Sequence, residues 1–204
     1  MQLTDLTDAL SLTRQMIDIP SVSGQEGPLA DAVEAAARSA GFGTVPALEI
    51  LRDGDAVCAR TRLGLPQRVV LAGHLDTVPI ADNVPGRTEI RDGVDVVWGR
   101  GSVDMLGGCA AALALACEVG PLIAAGEHAA LTADVTWIFY DHEEVASHLN
   151  GLGRIERNHP QWLAGDLALL GEPTAAHVEG GCNGTLRVIA RFPGRAAHSA
   201  RAWM

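Results

Sequence analysis

Apolar and polar positions fall into recognisably different periods along the 204 residues. Leu3, Leu6, Leu10 and Ile17 recur near helical spacing and predict a helix over residues 3–18, which the turn-forming stretch IPSVSGQEGP interrupts. A second helix is predicted from about Glu26, with Leu29, Val33, Ala36, Ala37 and Ala40 inward and Gly41 as its stop. VPALEILRDGDAVCART alternates around Asp53-Gly54, the signature of a β-hairpin.

RVVLAGH is too apolar for a half-exposed strand and belongs in the middle of a sheet covered on both faces. A long polar excursion, PGRTEIRDGVDVVWGRGSVD, leads into an Ala-rich helix over Met105 to Val119. DVTWIFY and DLALLGE then supply two more buried strands. Strands alternating with helices predict an α/β fold with a largely parallel, mixed sheet flanked by helices. Ligands of such sheets gather outside the carboxyl ends of the strands. His74, the run Asp141 to Glu144, and Glu172 all fall at those ends. Past Pro173 a Gly-rich crossing and an alternating strand, Leu186 to Phe192, with a turn at Pro193-Gly194, mark a domain boundary near 175–182.

Composition narrows the partners. With 48% hydrophobic and 20% charged residues the chain can bury a real core. Its net charge of −10 and lack of any basic cluster argue against nucleic acid or an anionic membrane. The acidic, amphipathic start lacks the features of a secretory signal, so a cytoplasmic location is expected. MLGGCAAALALACEVGPLIAAG is broken by Glu118 and Gly120-Pro121 and fits a buried helix better than a membrane span. Cys58, Cys109, Cys117 and Cys182 show no metal or redox spacing and are expected to be free thiols.

The candidate chemistry lies in YDHEEV, where Asp141, His142, Glu143 and Glu144 follow an apolar strand. Crowded carboxylates at the mouth of a buried strand need a positive counterpart. One strand-end histidine is ordinarily structural. Four separate segments change that: GHLD (His74, Asp76), GRGSVDMLGG (Asp104), DHEE (Glu143, Glu144) and LLGEP (Glu172) together offer an imidazole and several carboxylates. Zinc accepts both donor types, and a two-metal site with ions about 3.5–4 Å apart needs a bridging carboxylate. Asp76 has the reach to accept the second ring N–H of His74. Adjacent side chains on an extended chain diverge, so one of Glu143 and Glu144 can bind metal while the other handles a proton. His142, His148, His159 and His177 are expected at the solvated surface. No GxSxG elbow is present, and Cys182 has no evident base.

The ordered set GHLDTVP, WGRGSVDMLGG, DHEE and LLGEP resembles the di-zinc hydrolases of peptidase family M20. GGCNGTLRVIARFPGRAAHSARAWM and YDHEEV…LNGLGRI are similar to its succinyl-diaminopimelate desuccinylase branch in the actinobacterial form. The resemblance implies a zinc-aminopeptidase-like catalytic domain over residues 1–176 and the first part of an α+β lid and dimerisation domain over 177–204. It implies that His74 and Glu172 hold one zinc, that Glu144 helps hold the other, and that Asp104 bridges them. Asp76 would support His74, Glu143 would act as general base and acid, and His198 in AAHSA would steady the oxyanion. Cobalt is an alternative metal, and a homodimer is implied for the full-length family protein.

The implied reaction is hydrolysis of N-succinyl-LL-2,6-diaminopimelate to succinate and LL-2,6-diaminopimelate, a step of lysine biosynthesis. Another deacylase or peptidase of the family, such as an acetylornithine deacetylase, acyl-amino-acid hydrolase or dipeptidase, shares the same residues, and an inactive fragment is the rival of another class. Leu106 stands where the family often has Lys. Family chains continue past the position of Met204 to complete the lid and return a second metal-binding histidine. A chain ending there is therefore expected to lack that return segment and to hold its second metal weakly, or to carry a single zinc.

Overall fold

Asp8 ends an irregular N-terminal stretch by turning its carboxylate onto the N–H groups of Leu10 and Ser11, at 3.0 and 3.1 Å, which starts helix α1, Ala9–Ile17. The helix predicted from residue 3 thus begins six residues later. Asp5 is in the left-handed region at φ 50° and Asp8 is extended, so Leu3 reaches the core from non-helical backbone. Leu10 faces outward, and Leu12, Met16 and Ile17 form the buried face. Helix α2, Gly27–Ser39, buries Leu29, Val33, Ala36 and Ala37 as predicted, and Gly41 at φ 101° ends the run.

The computed structural model describes residues 2–181 and, beyond them, positions 186, 188–191, 193, 194, 197, 198 and 200. It divides into two compact units, 1–173 and 174–204. The first is built on a five-stranded sheet of β1 (Leu48–Asp53), β2 (Ala56–Thr61), β3 (Arg68–His74), β6 (Asp134–Tyr140) and β7 (Leu167–Leu170), ordered β1-β2-β6-β3-β7. β3 runs parallel to both β6 and β7, while β2 is antiparallel to β1 and β6, so the sheet is mixed and the α/β expectation holds.

The period-2 alternation of the strands separates two cores. Val57, Ala59, Trp137 and Phe139 face helices α1, α2 and α3 (Leu106–Ala124). Ala56, Cys58, Ile138 and Tyr140 face Ile155 of helix α4, Gly151–Asn158, and Trp162 in the turn that follows it. The hairpin at Asp53-Gly54 is present, with Gly54 and Asp55 as its two-residue turn.

Three expectations need correction. The polar excursion contains a second hairpin, β4 (Arg87–Arg91) and β5 (Val94–Trp98), joined by Asp92 and Gly93, both at positive φ. That Asp-Gly pair between alternating residues is a hairpin signal which the surrounding charges obscure. Helix α3 runs five residues past Val119 and contains Pro121. Gly120 lies so close to the Ala40 carbonyl that no Cβ would fit, so the ends of α2 and α3 pack tightly together just before the proline. β7, expected to be buried, is exposed along its length because β3 is its one described neighbour.

Helix α3 is long and apolar enough to cross a membrane, yet Cys109, Leu113 and Ala116 pack it into the core beside α1 and α2. Cys58, Cys109 and Cys117 are buried free thiols, as expected, whereas Cys182 lies outside the described residues. Of the strand predicted over 186–192, Arg187 and Phe192 also lie outside them. Leu186, Val188 and Ile189 are exposed and belong to no strand.

Candidate metal centre

Parallel pairing brings three strand ends to one place. His74 is level with Tyr140, and Ala72 with Leu170, so the residues just past these ends, Leu75, Asp141 and Glu172, leave the sheet together. His74 is 1% exposed. Its Nε2 lies 3.1 Å from Asp104 Oδ1 and 3.9 Å from Glu172 Oε1. Asp104 arrives on the loop before α3, where Met105 Sδ accepts from the His74 N–H and Cys109 donates its thiol to the His74 carbonyl. Donor atoms of His74, Asp104 and Glu172 lie within 4.8 Å of one another, as do those of His74, Glu143 and Glu144.

Asp76 departs from its expected contact. The second ring nitrogen of His74, Nδ1, is 2.9 Å from the backbone carbonyl of Asp76, while the Asp76 carboxylate stands farther off at 3.5 Å. That carboxylate, fully buried, accepts from the N–H groups of Glu143 and Glu144 at 2.9 and 3.0 Å and from the Ser23 hydroxyl at 2.7 Å. Burial works against its charge, yet His74 and these donors outweigh it and hold Asp76 at about 2. Burial likewise opposes protonation of His74. The Asp76 side chain and carbonyl and the Glu172 charge prevail and raise it to about 9.

Glu143 and Glu144 do not diverge as an extended chain would make them. His142, between the strand end and Glu143, has φ 59°, and this left-handed residue bends the chain so that both carboxylates come within reach of His74. His142 is not at the solvated surface either. Its side chain is about three-quarters buried, its Nδ1 is 2.7 Å from Asp141 Oδ2, and its N–H donates to Glu26 at 3.2 Å. Asp141 in turn receives both Arg154 Nη groups, at 3.0 and 2.6 Å. His148 and His177 are exposed, and His159 is half-buried beside Asp53. His198 belongs to the 174–204 unit, where it is exposed and its Nδ1 accepts from the Ala200 N–H.

Ser23, Glu26 and Arg154 escaped the sequence reading. Their partners lie 53, 116 and 13 residues away in the chain, and no local pattern marks such pairs.

The donor set fits a divalent cation. No Arg among the described residues pairs with Asp76, Asp104, Glu143, Glu144 or Glu172; His74 is within ion-pair distance of Asp76, Asp104 and Glu172, and Glu143 and Glu144 have no ion-pair partner among the described residues. Burial, with the neighbouring charge of Asp104, raises Glu144; burial and the same charge, against the pull of His74, raise Glu172. A bound cation would relieve this crowding, and imidazole with carboxylate oxygen is a zinc ligand set.

Strand ends that converge on an imidazole and a ring of carboxylates define a metallohydrolase fold, and the chain belongs to peptidase family M20/M25/M40, whose family model matches residues 70–190. The family that its motifs resemble is therefore its own. It is 48% identical to the succinyl-diaminopimelate desuccinylase of Corynebacterium glutamicum over 199 residues, 98% of this chain and 50% of that protein. Identity to the Bradyrhizobium protein of the same name is 32% over 190 residues, covering 87% of this chain and 46% of the relative. The chain thus spans about half the length of the curated relatives it matches.

Solved structures share the fold. An M20 family metallo-carboxypeptidase from Sulfolobus solfataricus superposes with a TM-score of 0.60 at 18% identity, over 80% of this chain and 37% of its own. Human carnosine dipeptidase 1 gives 0.57 at 17%, over 79% and 37%.

Proposed function

We propose that this chain carries the metal-binding half of a zinc-dependent amide hydrolase that converts N-succinyl-LL-2,6-diaminopimelate and water to succinate and LL-2,6-diaminopimelate in the cytoplasm. The reading rests on the clustering of His74 with Asp104, Glu172, Glu143 and Glu144, and the substrate on the 48% identical relative named for that activity. In this reading His74 and Glu172 would hold one zinc, Glu144 would help hold a second, and Asp104 would be shared by both. Cobalt suits the same donors. Residues 1–176 form the catalytic domain and 177–204 begin the lid, and the complete enzyme is a homodimer acting on a small N-acyl amino acid.

A divalent metal at this site would polarise the scissile carbonyl and lower the pKa of water to about 7, so no Ser or Cys nucleophile is needed. The chain's own residues supply the rest. Glu143, exposed and with its carboxylate near His74, takes a proton from the attacking water and returns it to the leaving amine. Asp76 orients that base from behind through the Glu143 N–H, and its backbone carbonyl holds the His74 ring. His198 donates to the developing oxyanion.

The test is hydrolysis of N-succinyl-diaminopimelate against N-acetylornithine by the complete reading frame that carries these residues, with Glu143→Ala beside the wild type. A higher kcat/KM for the succinyl substrate and loss of activity in the variant are expected. Equal rates for wild type and variant would reject the base, and preference for N-acetylornithine would reject the substrate.

A further inference from the structure

Glu26 is completely buried, yet nothing in the local fold uses its charge. It occupies the N-cap position of α2, but its side chain makes no capping hydrogen bond. Its Oε2 is enclosed without any hydrogen-bond partner among the described residues. A carboxylate so placed is unfavourable unless a specific contact repays its desolvation. Its Oε1 has one: it accepts from the backbone N–H of His142 at 3.2 Å and stands 3.4 Å from the His142 ring Nδ1.

His142 is the residue whose left-handed backbone turns the chain between the end of β6 and Glu143. A residue with a side chain holds that conformation at some cost, which histidine bears more readily than most, and contacts that fix it there tip the balance. Two anchors do so. The ring is gripped by Asp141, itself clamped by Arg154, and the N–H is gripped by Glu26 from the far end of the chain. Immediately downstream, the N–H groups of Glu143 and Glu144 both meet the Asp76 carboxylate, which Ser23 holds from the same segment that carries Glu26. The loop 21–26 therefore grasps the turn on both sides. Without the Glu26 acceptor the His142 N–H loses its partner, and extended backbone becomes the easier conformation. Residue 143 would then project to the opposite side of the chain.

We propose that Glu26 is a positioning residue: by holding His142 in its left-handed turn it sets where the Glu143 carboxylate stands relative to His74. The inference rests on the reading of Glu143 as the general base. Glu26 touches neither substrate nor metal and acts through the peptide of His142.

The experiment compares Glu26→Ala, Glu26→Gln and Glu26→Asp in the complete reading frame, with steady-state kinetics on N-succinyl-diaminopimelate and the visible absorption of the cobalt-loaded proteins. Glu26→Ala is expected to lower kcat roughly 10- to 100-fold with KM nearly unchanged. Its cobalt bands should change in intensity. Glu26→Gln keeps an oxygen for the His142 N–H and should recover most of the rate and the wild-type bands. Glu26→Asp keeps the charge but withdraws the acceptor by one methylene, and should behave like the alanine variant. It also serves if Glu26→Ala fails to fold.

A merely structural role would lower Tm and the folded fraction while kcat per folded molecule and the cobalt bands stay at wild-type values in all variants. That result overturns the inference while leaving the hydrolase reading intact. If the wild type hydrolyses nothing, that reading fails, and the cobalt bands alone decide the role of Glu26. Bands unchanged in both Glu26→Ala and Glu26→Asp would then overturn it.

Discussion

The buried carboxylate of Asp76 accepts the backbone N–H of Glu143 at 2.9 Å, so the residue beneath the histidine also holds the peptide of the proposed base. Asp76→Asn would turn an amide NH2 toward one of the donors it now receives. The variant is expected to lose roughly 10- to 100-fold in kcat or in zinc affinity. Kinetics together with a zinc titration measure both. An unchanged variant would show that the contact does not matter to the site.

Close packing of glycine on glycine places two of the proposed ligands. A Cβ on Gly108, in the first turn of α3, would overlap the carbonyl oxygen of Gly171, the residue before Glu172, and backbone cannot yield as a flexible side chain would. Gly108→Ala should destabilise the fold by about 1–3 kcal/mol and weaken zinc binding by separating Asp104 from Glu172. Chemical denaturation with and without zinc checks this.

Asp134, at the start of β6, is almost fully buried and accepts from the Thr61 hydroxyl and the N–H groups of Leu63, Gly64 and Leu65. Burial opposes its charge, but these donors and Arg68 hold it below its ordinary value of 3.8. Because the folded value is the lower one, its contribution is present above pH 3.8 and is lost as pH falls through the folded value. Asp134→Asn should therefore cost about 1–3 kcal/mol at neutral pH. The gap to wild type should close in acid, as urea titrations across pH would reveal.

Zinc binding to the folded state alone raises stability by mass action, by about 2.7 kcal/mol when free zinc exceeds Kd a hundredfold. Melting curves should shift upward with zinc and return with chelator. His74→Ala should flatten that dependence.

Much of this arrangement is legible in the sequence. The apolar runs of β3 and β6 and the helix period of α2 mark the scaffold, and parallel strands deliver the residues at their carboxyl ends to one edge. That is why His74, Glu172 and the Asp141–Glu144 run could be placed there. Edge position was not legible in β7, since Leu167, Leu169 and Leu170 are as apolar as a central strand. The end of α3 was not either, since Pro121, ordinarily a helix breaker, lies inside the helix. The β4–β5 hairpin hid behind the charges of Arg87, Glu89, Arg91 and Asp95. The supports of the site were least visible. The grips of Ser23 on Asp76 and Glu26 on His142 join segments distant in the chain, and the left-handed turn at His142 inverts the side-chain alternation that an extended chain implies.

Zinc content after equilibrium dialysis, for wild type beside a His74→Ala/Asp104→Ala double variant, tests the shared metal centre most directly. Wild type is expected to retain zinc in stoichiometric amount and the folded double variant to lose it. Equal zinc content in the two proteins, or none in the wild type, would contradict the account.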